Sequence, residues 1–228
     1  MMEFSTDQEM LDTISNELFS CVVGDVMDAM GYLHQYLPPQ LRPVTEGMRV
    51  VGRAKTVLEA DCYGRHVHHD DKDQAFGVMF DALDSIKENE VYICTGSSPD
   101  YACWGELMST AAMHRGAVGA VVEGYSRDTD GIRRLDFPTF SMGFYGQDQG
   151  VRGRVIDYDC PIEFSNKVLV NPGDIVFGDI DGVVIIPKKI EADVIEAALE
   201  KVRGENMVRK LIEEGMPTRQ VWDEHGIM

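Results

Sequence analysis

Residues 104–128, WGELMSTAAMHRGAVGAVVEGYSRD, hold a helix, a stop and a buried strand in immediate succession. Leu107, Ala111, Ala112 and His114 fall at helical spacing after Gly105, and Gly116 supplies the stop. AVGAVVEG is a short, nearly continuous apolar run, as in strands buried on both faces. FPTFSMG (137–143) follows as another strand, so the pattern is β–α–β.

Outward from this unit the same alternation continues. STDQEMLDTISNELF (5–19) reads as a helix, with Thr6 and Glu9 spaced as a capping box and Met10, Ile14 and Leu18 on one stripe. GDVMDAMGYL (24–33) reads as a short second helix ending near Gly31. RVVGRAKTVLEA (49–60) has the β-branched enrichment of a strand, residues 72–86 look helical, and EVYICTG (90–96) looks like a buried strand. After residue 150 the chain turns β-rich, with turn signals at Asn171-Pro172-Gly173-Asp174 and Asp181-Gly182. The expectation is an α/β fold with helices around a mixed sheet, in a single domain over 1–228. Its N-terminal part, about 1–45, is helical, and a long amphipathic helix over about 190–214 closes the chain.

Composition narrows the function. The 39 acidic residues against 21 basic ones give a net charge of −18, which argues against nucleic acid as a partner. A small anionic substrate is compatible with it, because local donors or a metal can hold an anion inside an acidic protein. No apolar run approaches the roughly 20 residues of a membrane helix, and MMEFSTDQEML lacks a basic-then-apolar signal pattern. The five cysteines, Cys21, Cys62, Cys94, Cys103 and Cys160, are odd in number, scattered and without a CxxC. They fit reduced thiols in a cytoplasmic protein. HExxH, GxSxG, GxGxxG and Walker A patterns are all missing.

Two clusters carry chemistry. RHVHHDDKD (65–73) is either a metal cluster or a solvated loop capping the next helix through Asp70 or Asp71. The second lies in the opening stretch. A helix starting near Gly105 offers free backbone N–H groups as an anion site. The following strand ends at Arg127-Asp128, and in open α/β sheets ligands gather at the carboxyl ends of strands. Asp128 can hold a hard divalent cation, Arg127 can fork a carboxylate, and the helix amides can hold an oxyanion. A surface turn with an ion pair is the alternative.

Three stretches together resemble one family: the opening block, FPTFSMG, and VNPGDIVFGDIDGVVIIP (170–187). The chain is similar, from GDVMDAMG to the final helix, to the RraA-like group. That group includes the class II 4-hydroxy-4-methyl-2-oxoglutarate aldolases, which also decarboxylate oxaloacetate, and the regulator of ribonuclease activity A. The resemblance implies a swivelling β/β/α fold, assembled as a homotrimer or a dimer of trimers. The aldolase pattern is an acidic or small residue, twenty residues, Arg-Asp, two residues and a further acid. Glu106, residues 107–126 and Arg127-Asp128 match it.

By that resemblance Asp128 ligates Mg²⁺ or Mn²⁺ directly and Glu106 contributes through water. Arg127 binds the pyruvyl part of a small 2-oxo acid and stabilises its enolate, while Gly105 and the amides of Leu107 and Met108 cradle the carboxylate. The further acid falls on Gly131, with Asp130 one residue earlier as the available substitute. Glu205 matches a glutamate that a neighbouring subunit donates. The implied activity is a metal-dependent carbon–carbon lyase working through a pyruvate enolate. The competing expectations are a non-catalytic regulator docking on a ribonuclease or helicase, and a related lyase or decarboxylase acting on a sugar-derived acid.

Overall fold

A computed structural model describes residues 4–62 and 76–227. The RHVHHDDKD cluster lies outside the described residues, as does the start of the helix expected from residue 72.

Helix α1 (Asp7–Glu17) begins where expected. Thr6 accepts the Glu9 N–H at 3.1 Å, and the Glu9 carboxylate reaches back to the Ser5 N–H at 2.8 Å. Helix α2 (Ser20–Ala29) starts four residues before the expected GDVMDAMG segment and stops at Gly31, whose φ of 87° is the left-handed value glycine takes readily. Strand β1 (Arg42–Pro43) and the twelve-residue strand β2 (Val50–Asp61) follow, then helix α3 (Met79–Asp84) and strand β3 (Glu90–Thr95). Strand β4 (Ala102–Trp104), helix α4 (Glu106–His114) and strand β5 (Gly119–Val122) make up the opening stretch. Strand β6 (Tyr125–Ser126), helix α5 (Thr129–Leu135) and strand β7 (Thr139–Ser141) continue it.

The β-rich part contains β8 (Gly153–Tyr158), β9 (Ile162–Glu163), β10 (Leu169–Val170), β11 (Ile175–Asp179) and β12 (Gly182–Ile186). The long helix α6 (Glu191–Glu213) and α7 (Thr218–His225) complete the chain. Among the described residues no helix is long and apolar enough to cross a membrane.

The main sheet runs β1-β7-β5-β3-β2-β11-β12, with β8 also paired to β2. Its centre, β2-β3-β5-β7, is parallel; β1, β8, β11 and β12 join antiparallel. Strand β2 is long enough to hold two antiparallel partners in series. Val50–Arg53 pairs with β11 and Val57–Asp61 with β8, across an irregularity between Leu58 and Glu59.

Side-chain alternation explains why these strands look apolar throughout. Val91, Ile93, Val121, Val176, Val183 and Ile185 share one core with Phe140 and Phe164. The intervening residues face helices. Tyr92, Cys94, Ala120 and Val122 pack with α3, α4 and α5, whereas Ile175, Phe177, Val184 and Ile186 pack under α1, α2 and α6. The helix α4 phase keeps Ala112 of the expected stripe in the core but differs elsewhere: Ser109 is buried, and Leu107 is 83% exposed.

Candidate active site

Two short strands deliver the site. Strands β4 and β6 pair in parallel, and the Arg127 N–H donates to the Trp104 carbonyl at 2.9 Å. Arg127 and Asp128 are thereby fixed beside Gly105, the residue that opens α4. Trp104 is buried, and its indole N–H donates to Ser109 Oγ at 2.8 Å. Ser109 Oγ donates in turn to the Gly105 carbonyl at 3.0 Å. The strand-to-helix corner is held from inside. Gly105, at the helix N-cap, has no side chain to bond the first-turn N–H groups, so those of Leu107 and Met108 remain open donors.

Asp128 occupies the N-cap position of α5 in the left-handed region, φ 54° and ψ 37°. Aspartate tolerates that conformation better than most residues. A purely structural aspartate there would cap the helix, yet this side chain makes no capping bond. A methyl group on Gly105 would lie 3.1 Å from Asp128 Oδ2 and 3.3 Å from Arg127 Cγ. Glycine is what leaves room for both side chains. The Arg127 guanidinium spans two carboxylates, with Nη1 donating to Asp148 Oδ1 at 2.6 Å and Nε 3.5 Å from Asp128 Oδ1.

The glycine at 131 has a geometric counterpart. A methyl group there would lie 2.2 Å from Glu106 Cδ, so the Glu106 carboxylate lies over the bare face of Gly131. It is also 3.5 Å from Arg134 Nη2. An acid at 131 and Glu106 in this rotamer are mutually exclusive. Asp130 is 89% exposed and pairs loosely with Arg133 at 3.9 Å. Glu205 lies on α6, paired with Lys201 at 3.4 Å, in the layer that covers β11 and β12. The structure thus gathers Gly105, Glu106, Leu107, Met108, Arg127 and Asp128, and within one chain leaves Glu205 apart.

Beside Arg127 and Asp128 opens a cavity of about 530 Å³. Its far wall comes from α3, with Met79, Phe80 and Leu83, together with Phe76 just before it. Gln149 lines the cavity too, and behind it sits Glu59, 2% exposed. Gln149 Nε2 donates to Glu59 Oε1 at 2.7 Å and the Tyr101 hydroxyl donates to the same oxygen at 3.3 Å. Burial pushes the Glu59 carboxyl up to about 9, with the neighbouring Cys103 thiol adding to it. Sequence reading missed Glu59, Asp148 and Gln149; an acid inside an otherwise buried strand was the available signal for Glu59.

Folded Glu59 keeps its proton from about 4.5, the ordinary carboxylate value, to about 9, a range where the unfolded chain has released it. Its effect is a stability that falls as pH rises across that window and levels off above it. Glu59→Gln removes this slope. In thermal melts from pH 5 to 9 the variant is expected to gain on the parent steadily; a constant Tm difference would show that Glu59 is ionised when folded.

Among the described residues no group of three or more His, Cys, Asp or Glu side chains converges. That excludes a closed protein cage within them. An ion such as Mg²⁺ does not need one, since it is commonly bound through one or two carboxylates while keeping several waters. Asp128 has the chemistry that such an ion takes: a carboxylate that is uncapped, 44% exposed, and facing the space that Gly105 leaves open.

Comparison with known proteins agrees with this architecture. The RraA-like family (Aldolase/RraA) matches residues 20–185, and the chain belongs to that family. "Protein DlpA" of Legionella pneumophila is 27% identical over 221 residues, covering 94% of this chain and 34% of its own length. The chain therefore spans about a third of that relative. A Halalkalibacterium halodurans protein named "Putative 4-hydroxy-4-methyl-2-oxoglutarate aldolase" is 28% identical, covering 78% of this chain and 77% of its own. The solved structure of Streptomyces coelicolor RraAS2, described as an unusual member of the RNase ES inhibitor RraA family, superposes with a TM-score of 0.76. It is 22% identical over 91% of this chain and 99% of its own, a likeness of fold.

Proposed function

We propose that this chain is a divalent-metal-dependent lyase that cleaves a carbon–carbon bond in a small 2-oxo acid and releases pyruvate. The observation that carries the reading is Asp128, a helix N-cap residue whose carboxylate makes no cap bond and faces the open side of Gly105 next to Arg127. A regulator that worked only by docking would have no use for an acid held in this way.

Asp128 would hold the ion, with Glu106 close by to accept hydrogen bonds from its waters. The ion, when bound, supplies Lewis acidity to the 2-oxo group. Arg127 forks the substrate carboxylate or its neighbouring oxygen with the planar donors that Asp148 orients at 2.6 Å. The open amides of Leu107 and Met108 receive the remaining carboxylate oxygen at the positive end of α4. As the bond breaks, its electron pair passes into the pyruvyl fragment. Arg127 is then placed against the developing enolate charge, where one aimed donor is typically worth a few kcal/mol.

Pyruvate release from oxaloacetate and from a 4-hydroxy-2-oxo acid tests the reading, using protein stripped with EDTA and then given Mg²⁺. Turnover is expected only after the metal is restored. A protein that shows no turnover under either condition and captures a ribonuclease or helicase would instead be a regulator.

A further inference from the structure

The cavity beside Arg127 and Asp128 is largely apolar away from that pair. Its walls are Phe76, Met79, Phe80, Leu83, Leu107 and Met108. Met79 and Leu83 are 5% exposed and form its depth, while Phe80 at 54% and Leu107 at 83% stand at its mouth. Among the described residues that line it, Arg127 is the one cation. Three carboxylates accompany it: Asp148, held by Arg127 at 2.6 Å, Asp84, held by Arg115 at 2.6 Å, and Asp128, 3.5 Å from Arg127 Nε.

Charge and surface therefore select different parts of one ligand. A carboxylate at the 2-oxo end meets Arg127 and the α4 amides. A second carboxylate further along would meet apolar walls and Asp84, and among the described residues that line the cavity no cation besides Arg127 would offset its desolvation. An apolar group in the same place removes its own surface and that of the walls from water. The volume of about 530 Å³ lies within the range of small-ligand sites and exceeds what a bare three-carbon acid fills.

Resting on the lyase reading above, we infer that the substrate is a 4-hydroxy-2-oxo acid whose C4 carries an aromatic or branched apolar group, seated between α3 and α4. In the cleavage the C3–C4 bond breaks and its electron pair stays on C3 as the enolate, which takes up a proton to give pyruvate. The C4 hydroxyl loses its proton, and C4 becomes the carbonyl of an apolar aldehyde. No oxidant or co-reactant is required.

The test compares pyruvate release from 4-hydroxy-4-phenyl-2-oxobutanoate and from 4-hydroxy-2-oxoglutarate, which bears a carboxylate in place of the phenyl group. Mg²⁺-loaded protein is used, with oxaloacetate as a third substrate. The phenyl compound is expected to have the higher kcat/KM by about tenfold or more. Phe80→Asp is expected to lower that ratio by about tenfold, with the elution volume in size-exclusion chromatography unchanged. Equal or preferred turnover of 4-hydroxy-2-oxoglutarate, or a ratio unmoved by Phe80→Asp, overturns the inference. So does a lower-mass species in the variant, which would make the wall an interface between copies of the chain. Pyruvate from oxaloacetate alone sinks the apolar substrate and leaves the lyase reading standing; pyruvate from none of the three sinks both.

Discussion

Asp128→Ala is expected to lower metal-dependent pyruvate release on the order of a thousandfold while leaving the fold in place. The direction follows from what the side chain does not do. It makes no cap bond to α5, and its near neighbours are the Arg127 Nε at 3.5 Å and the open face of Gly105. Removing it takes little from the packing, because the side chain is 44% exposed. The one structural penalty is the backbone: alanine in the left-handed region at φ 54° is disfavoured by about 1 kcal/mol. Asp128→Asn therefore accompanies it. Asparagine tolerates that conformation and keeps the size, but it is neutral and a weak partner for a hard cation. Both variants should melt within a few degrees of the parent and both should be inactive. Turnover retained in Asp128→Asn would mean that the carboxylate charge is not what the site uses.

The second large effect concerns Arg127→Lys, which preserves charge and tests shape. Arg127 reaches Asp148 with Nη1 while its Nε stays near Asp128, so one planar group that lines the cavity is held by two acids. A lysine ammonium can satisfy one of those acids and has no fixed fork to offer a carboxylate. A loss in kcat/KM of about a hundredfold is expected, appearing in kcat as well as KM, since the same group binds the substrate and faces the enolate. A change in KM alone would confine Arg127 to ground-state binding.

The sequence carried the local parts of this site and not its long-range ones. Gly105, the α4 start, the β5 run and Arg127-Asp128 are legible because helix spacing, glycine stops and strand patterning act within a few residues. The Glu106 match across twenty residues pointed to its place, but not to the contact with Gly131, which depends on how α4 and α5 cross. Leu107 was grouped with Ala112 by its spacing and is 83% exposed, because Ser109 joins Ala112 in facing the core. The apolar wall was not legible: Met79, Phe80 and Leu83 look like an ordinary helix stripe until α3 is seen beside α4. Glu59 belongs with them: burial raises its carboxyl against the opposing hydrogen bonds of Tyr101 and Gln149, residues 42 and 90 positions away.

Asp128 and Arg127 are proposed to form a metal-dependent centre for releasing pyruvate. Its most direct test is the rate of pyruvate release from a 4-hydroxy-2-oxo acid by EDTA-stripped protein before and after Mg²⁺ is restored, with Asp128→Asn at equal concentration as the background. Activity that is lost on stripping, returns with Mg²⁺ and is missing from the variant is the expected result. A rate that is the same in the stripped, restored and variant proteins would contradict it.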